Sequence, residues 1–415
     1  MKSNISRSNL LKKFLNTRNL SVQITSNLSP EDNNLQVNSD VSPNKWHLGH
    51  TTWFFETFIL EKYLDSYQYY NPKYLYYLNS YYQNKGNKVP KNIRHTISRP
   101  SYNEIINYRK IIDNRVLELL TKVDSEELNF MINLGLNHEQ QHQELMIMDT
   151  KLNLFSGIED SYFRKKDFDF LHKKSDAWID FDEGVFNFGY DGDGFFYDNE
   201  KGFHKQFLHS YSISESLVTN GEYLEFINSE EYNNPNNWLN DGWNWKNQNN
   251  ITKPLYWIYI DGEYFEYSIN GIEILSLLKP VSHISYYEAW AYARSKSCRL
   301  PTEFELEHAL NVPDTTFKNV FANVSNSFLD CIGFDKLNLF GNLWEWTNSA
   351  YLPYPFYKQD GGALGEYNGK FMNNLYVLKG GSSFTPSDHI RNTYRNFYSP
   401  EKRWVQSGFR LAKYN

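Results

Sequence analysis

The sequence predicts a two-domain chain, an α-helical bundle followed by a loop-rich α+β domain. Three observations carry this. The 415 residues are about the length of two ordinary domains. Apolar residues recur at helical spacing through the first 160 or so positions. After about position 175 the text changes to short apolar runs between Gly, Asp and Asn. We place the domains at 1–170 and 171–415, with the junction in the charged stretch RKKDFDFLHKKSD.

Four helices are expected in the first domain, the count of a bundle. The first lies near 4–20. The second includes HTTWFFETFILEK (50–62), which sets Trp53, Phe54, Thr57, Phe58 and Glu61 on one side. Ser101 and Glu104 form a capping-box pattern that opens the third, with Ile105, Tyr108, Ile112, Val116 and Leu119 at helical spacing. A second cap at 124–127 opens the fourth, whose stripe runs Leu128, Met131, Ile132, Gly135, His138, His142, Leu145 and Leu152. The link at 63–98 is long and rich in Tyr and Asn, and its aromatics predict a packed segment. In the second domain, AspGly and AsnGly pairs between runs such as KPLYWIYI and EYFEY mark hairpins. Helices are expected near 219–229, 285–296 and 302–310.

Composition excludes several classes of function. A net charge of −7 without a long basic block argues against nucleic acid as a partner. No run of eighteen apolar residues exists, so no membrane span is expected. Two cysteines, Cys298 and Cys331, are too few for a disulfide scaffold, and with no secretory-type leader in the first residues a cytoplasmic protein is expected.

The chemistry-bearing stretch is NHEQQHQEL (137–145), which spells H-E-x-x-H. Histidines four apart share a helix face and can reach one metal. His138 and His142 continue the apolar stripe, so they point inward, where Gly135 one turn earlier leaves room. His50 shares the inward side of the second helix with Trp53 and Phe54, and makes a third ligand candidate. His47, one turn before it, stays open as an alternative. A zinc-peptidase reading lacks the downstream Gly and His of the longer motif.

Several long segments carry a family resemblance. SPNKWHLGHTTWFFETFIL (42–60), SRPSYNEIINYR (98–109) and GLNHEQQHQEL (135–145) resemble the ergothioneine-biosynthesis sulfoxide synthases. So do RLPTEFELEHAL (299–310), GNLWEWTNSAYLPYPFY (341–357), GEYNGKFMNNLYVLKGGSSFTP (365–386) and HIRNTYRNFYSPEKRWVQSGFRLA (389–412), in the same order. The resemblance implies a DinB-like four-helix bundle followed by a C-type-lectin-like α+β domain of the formylglycine-generating-enzyme type.

It also implies a non-haem Fe(II) held by His50, His138 and His142, with O2 as co-substrate. Three neutral ligands leave three octahedral positions open, which suits iron better than four-coordinate, redox-inert zinc. The implied substrates are hercynine (Nα-trimethylhistidine) and a thiol, γ-glutamylcysteine or cysteine. Their union would put a sulfoxide sulfur on the imidazole carbon between the ring nitrogens.

Supporting residues follow by motif. Gln141 matches a glutamine that holds hercynine. Tyr81 and Tyr82, or Tyr367, are candidates for a proton-donating tyrosine. Asn396, Phe397 and Tyr398 match the segment around the trimethylammonium group, which suits an aromatic face. Some members carry an aspartate in place of Tyr398. Arg94 fits an arginine that grips thiol-substrate carboxylates, and Lys91 stands where a companion arginine is found, keeping charge without the bidentate fork. The cysteine pair of the formylglycine-generating enzymes is missing from GGSSFTPSDHIRNTYR, which argues against that activity. The alternatives are a related selenoneine- or ovothiol-type C–S or C–Se bond-forming enzyme, or a DinB-like metal-dependent thiol transferase. The oligomeric state is open.

Overall fold

A computed structural model describes residues 6–80, 82, 85–155, 175–269, 271–311, 341–361, 365, 368–386 and 388–415. The chain divides into two compact units. The first comprises Met1–Phe163 with two later segments, Gly192–Phe196 and Asp360–Asn368. The second comprises Arg164–Asp191, Tyr197–Gln359 and Gly369–Asn415.

The first unit is built on four long helices. Helix α1 (Arg7–Thr25) is capped by the Ser6 hydroxyl. Helix α2 (Asn44–Phe55) starts after Pro43 and is buried on every side, although half of its residues are polar or charged. It runs through a π-helical turn, Glu56–Leu60, into the single turn α3 (Glu61–Tyr63). The link that follows is packed, as its aromatics predict. It holds the short α4 (Tyr74–Tyr77), and Tyr74, Leu78 and Tyr82 are buried. Helix α5 (Tyr102–Lys122) opens on the Ser101–Glu104 capping box. Helix α6 (Glu126–Phe155) has 30 residues, most of them buried. It packs against α1 and α2, and α2 packs also on α5.

An ion network ties α1, α5 and α6 together. The Arg18 guanidinium donates to Glu139 Oε2 at 2.8 Å and to Asp113 Oδ1 at 2.7 Å. Arg109 donates to Glu139 Oε1, which also accepts from the Ser21 hydroxyl at 2.5 Å. Burial alone would raise the Glu139 pKa, but Arg109 and Arg18 hold it below the usual carboxylate range.

The second unit is a set of small sheets and helices. Strands β1 (Trp178–Phe181), β2 (Gly184–Phe188), β3 (His204–Leu208) and β4 (Tyr211–Ser214) come first. Helices α7 (Asn220–Asn228) and α8 (Asn240–Gln248) follow. Next are β5 (Trp257–Ile260), β6 (Glu263–Ser268) and β7 (Gly271–Ile274), then α9 (Tyr286–Ser295) and α10 (Glu303–Asn311). The last strands are β8 (Trp344–Ala350), β9 (Tyr376–Lys379), β10 (Asn396–Tyr398), β11 (Ser407–Gly408) and β12 (Ala412–Tyr414). The sheets run β1-β4-β12, β10-β9-β8-β11, β5-β6-β7 and β2-β3. Only β11 with β8 pairs parallel among the described strands. The β5–β6 turn is the expected Asp-Gly, with both Asp261 and Gly262 at positive φ.

Helix α8 was not expected. Its sequence, NDGWNWKNQ, is polar and glycine-bearing, and Lys246 settles it by lying over the rings of Tyr232, Trp238 and Trp243. A buried bidentate pair, Arg410 with Glu345 at 2.6 and 2.8 Å, joins the end of the chain to β8.

Glu139→Ala would leave buried guanidinium charge uncompensated. We expect a loss of about 3–5 kcal/mol in denaturant unfolding of the full chain. A loss below about 1 kcal/mol, the range of an exposed pair, would contradict the role given to the network.

Candidate metal centre

Three buried histidines meet inside the first unit. The ligand atoms of His50, from α2, and of His138 and His142, from α6, all lie within 4.8 Å of one another. Their exposures are 0, 5 and 8%. His50 Nδ1 lies 2.6 Å from the carbonyl oxygen of Leu78, so that nitrogen carries the proton and Nε2 is left bare. His50 Nε2 and both nitrogens of His138 are buried without a hydrogen-bond partner. Burial holds His50 and His142 well below the usual histidine range and pushes His138 down to about 4. Neutral rings with bare nitrogens are what a metal ligand requires.

Close approaches build this geometry. A Cβ on Gly49 would sit 2.7 Å from a Leu78 methyl and 3.0 Å from Ile105. Glycine there lets the 74–80 strap lie against α2, so that the Leu78 carbonyl reaches His50. The room beside Gly135, expected to serve the histidines, is instead filled by the Phe55 and Phe54 rings, 2.8 and 3.2 Å from where its Cβ would stand. Trp46 stacks on His50 at 4.7 Å with an interplanar angle of 9°. The π-helical turn just beyond α2 is a device often found at functional sites.

His47, left open by spacing, is not part of the triad. Its two nitrogens meet His142 Nδ1 at 2.8 Å and Asp149 Oδ2 at 2.9 Å. The central glutamate of H-E-x-x-H is not available as a general base either. Glu139 follows His138 by one residue, about 100° around the helix, and its oxygens are spent on Arg18, Arg109 and Ser21.

The other candidates fall as follows. Tyr82 is buried, its ring centroid 6.4 Å from that of His50 and 5.6 Å from that of Trp53. Tyr81 and Tyr367 lie outside the described residues. Gln141 is half-buried on α6 beside His142. Arg94 is no surface charge. It is 6% exposed, donates to the Ser42 hydroxyl at 2.9 Å, and lies 3.3 Å over the Trp46 ring. Lys91 is exposed and donates to the Asp40 carbonyl at 2.7 Å. Asn396, Phe397 and Tyr398 form β10 in the second unit, each half-buried. There the Phe397 ring stacks on Tyr351 at 4.1 Å, and Tyr398 meets Trp404 edge-on at 5.9 Å.

Sequence reasoning missed Asp149 and the Leu78 carbonyl. Asp149 stands seven residues after His142, two helical turns along the same face, and that spacing could have found it. A backbone carbonyl leaves no such signal.

A helical unit with a buried three-histidine cluster, followed by a β-rich unit of short sheets, defines the class. Residues 170–323 and 330–415 match the sulfatase-modifying factor enzyme 1-like domain, and the chain belongs to that family. It is also similar to a protein named hercynine oxygenase from Mycobacterium tuberculosis, at 29% identity over 52% of this chain and 55% of that protein. The chain thus spans little more than half the length of that relative. A second hercynine oxygenase, from Mycolicibacterium smegmatis, is 26% identical over 74% of this chain and 76% of its own. Ergothioneine biosynthesis protein 1 of Schizosaccharomyces pombe is 28% identical over 53% of this chain and 28% of its own. No described helix is long and apolar enough to cross a membrane.

Two outcomes are expected. His138→Ala abolishes binding of a single Fe(II) equivalent in an anaerobic titration, and retained stoichiometric binding would refute the ligand set. Gly49→Val, which touches no ligand, loosens the Leu78 strap. It should cost about 1–3 kcal/mol of stability and weaken metal binding in the same titration, whereas wild-type affinity would contradict the strap's role.

Proposed function

We propose that this chain is an iron-dependent, O2-dependent sulfoxide synthase that joins a thiol to the imidazole carbon of hercynine. The observation that carries the reading is the buried cluster of His50, His138 and His142, with unpartnered nitrogens on the first two, in a chain related to proteins named hercynine oxygenase.

His50, His138 and His142 would hold the metal. Three neutral nitrogens, with no thiolate or carboxylate among them, suit iron(II) with open positions for substrates. Bound there, iron would supply the redox and O2 chemistry that side chains lack. The overall balance closes without another reductant. One hercynine C–H, one thiol S–H and O2 give the sulfoxide conjugate and one water.

The chain's own groups have the remaining tasks. Tyr82 is the described tyrosine beside the triad and is our proton donor, with Tyr81 and Tyr367 as the other candidates. Gln141 offers an amide to hercynine. Phe397 and Tyr398, with Asn396, offer aromatic faces and a polar edge to a trimethylammonium group. Arg94 and Lys91 offer positive charge to the carboxylates of γ-glutamylcysteine or cysteine. Arg94 would act from its stacked position on Trp46. We place the reaction in the cytoplasm, in keeping with a chain of two cysteines.

Product analysis by mass spectrometry tests this. The protein is loaded with Fe(II) anaerobically and given hercynine with γ-glutamylcysteine or with cysteine, and O2 is then admitted. A sulfoxide conjugate that appears only after O2 is expected, and the productive thiol names the donor. Thiol transfer without O2 would instead establish the transferase alternative, and no conjugate with either thiol would overturn the reading. Tyr82→Phe is expected to raise the sulfinate of the thiol at the expense of the conjugate. An unchanged product ratio would move the proton-donor role away from Tyr82.

A further inference from the structure

The ligand set leaves one buried histidine over. His47 is 3% exposed, sits one turn before His50 on α2, and bridges to α6 behind the triad. We infer that His47 and Asp149 are a positioning pair that fixes the tautomer of His142, so that His142 offers Nε2, and not Nδ1, to the metal. The inference rests on the triad being a metal site.

The argument follows the protons along three groups. A carboxylate only accepts hydrogen bonds. Asp149 Oδ2 accepts the Ser42 backbone N–H at 2.8 Å and faces His47 Nε2 at 2.9 Å. His47 Nε2 therefore carries a proton. In the neutral ring the other nitrogen, Nδ1, is then a bare acceptor. It stands 2.8 Å from His142 Nδ1, and two bare nitrogens at that distance would repel. His142 Nδ1 carries the proton between them, and the lone pair of His142 is left on Nε2. The Leu78 carbonyl imposes the same choice on His50. Two of the three rings are thus set to present Nε2 by hydrogen bonds made on their far side. This is the arrangement by which partners behind a ligand orient it.

The spacing supports a purpose beyond packing. On α6, His138, His142 and Asp149 follow at intervals of four and seven, which keeps all three on one face. On α2, His47 and His50 are one turn apart. His47 and Asp149 are both buried, and each is hydrogen-bonded only along this line or to the Ser42 amide.

The test uses the full chain with Zn(II) as a diamagnetic probe. Zinc affinity is measured by competition titration, and the ring protons are located by 15N NMR of histidine-labelled protein. In the wild type, the proton is expected on His142 Nδ1 and on His47 Nε2. His47→Leu should lower zinc affinity about ten- to a hundredfold. His47→Asn, whose Oδ1 can take the place of the His47 Nδ1 acceptor, should recover most of the loss, which a merely space-filling role would not produce. Metal on His142 Nδ1, or His47→Leu binding zinc like the wild type, would overturn the inference while leaving the triad intact. His138→Ala binding zinc like the wild type would instead overturn the triad, and the positioning pair with it. The wild-type NMR measurement decides the tautomer even if the variants fail to fold.

Discussion

Burying an imidazole nitrogen without a partner costs about 1–3 kcal/mol, and this chain does so at three atoms in one place. His50 Nε2 and both nitrogens of His138 lie in the core of the first unit with nothing to bond. The surrounding architecture serves that cluster. Helix α2 is buried on all sides to carry His50 inward, and glycine at position 49 lets the Leu78 strap hold the ring by its other nitrogen. Helix α6 contributes the remaining two rings from consecutive turns. A metal at this point would take up one nitrogen from each ring.

The same stretch of α6 shows how a familiar motif can be divided between two tasks. In H-E-x-x-H the histidines face α2, while Glu139 turns toward α1 and α5 and closes a charge network with Arg18, Arg109 and Asp113. The glutamate holds the bundle, and the histidines meet His50 of α2. Hydrolytic chemistry of the zinc-peptidase type needs that carboxylate beside the metal. Here it is neutralised elsewhere, and the site is made of neutral nitrogen donors. That donor set departs from the peptidase arrangement, and the oxygenase reading proposed above rests on it together with the relatives named hercynine oxygenase.

Much of this was legible in the sequence. Ser101 and Glu104 announced α5 because a capping box is a local bond pattern. His138 and His142 were readable as an inward pair because a helix converts spacing directly into facing. His50 could be joined to them because it lies on the aromatic side of its own helix. What stayed hidden depends on contacts between distant residues. Glu139 reads as a motif glutamate until Arg18 and Arg109 arrive from other helices. Arg94 reads as a surface charge as readily as a substrate clamp, and only the structure shows it buried over Trp46. Helix α8 lacks the periodicity that identifies helices in a sequence, and the helical spacing of 50–62 does not distinguish the π-helical turn at Glu56–Leu60 from an α-helical one.

The central claim is that one metal ion sits among His50, His138 and His142. The most direct measurement is a crystallographic anomalous difference map at the iron edge, from crystals loaded with Fe(II) without oxygen. A single peak within bonding distance of one nitrogen from each of the three rings, and of no carboxylate, is the expected result. A peak bound by Glu139 or Asp149, or iron only at other sites on the molecule, would contradict the account.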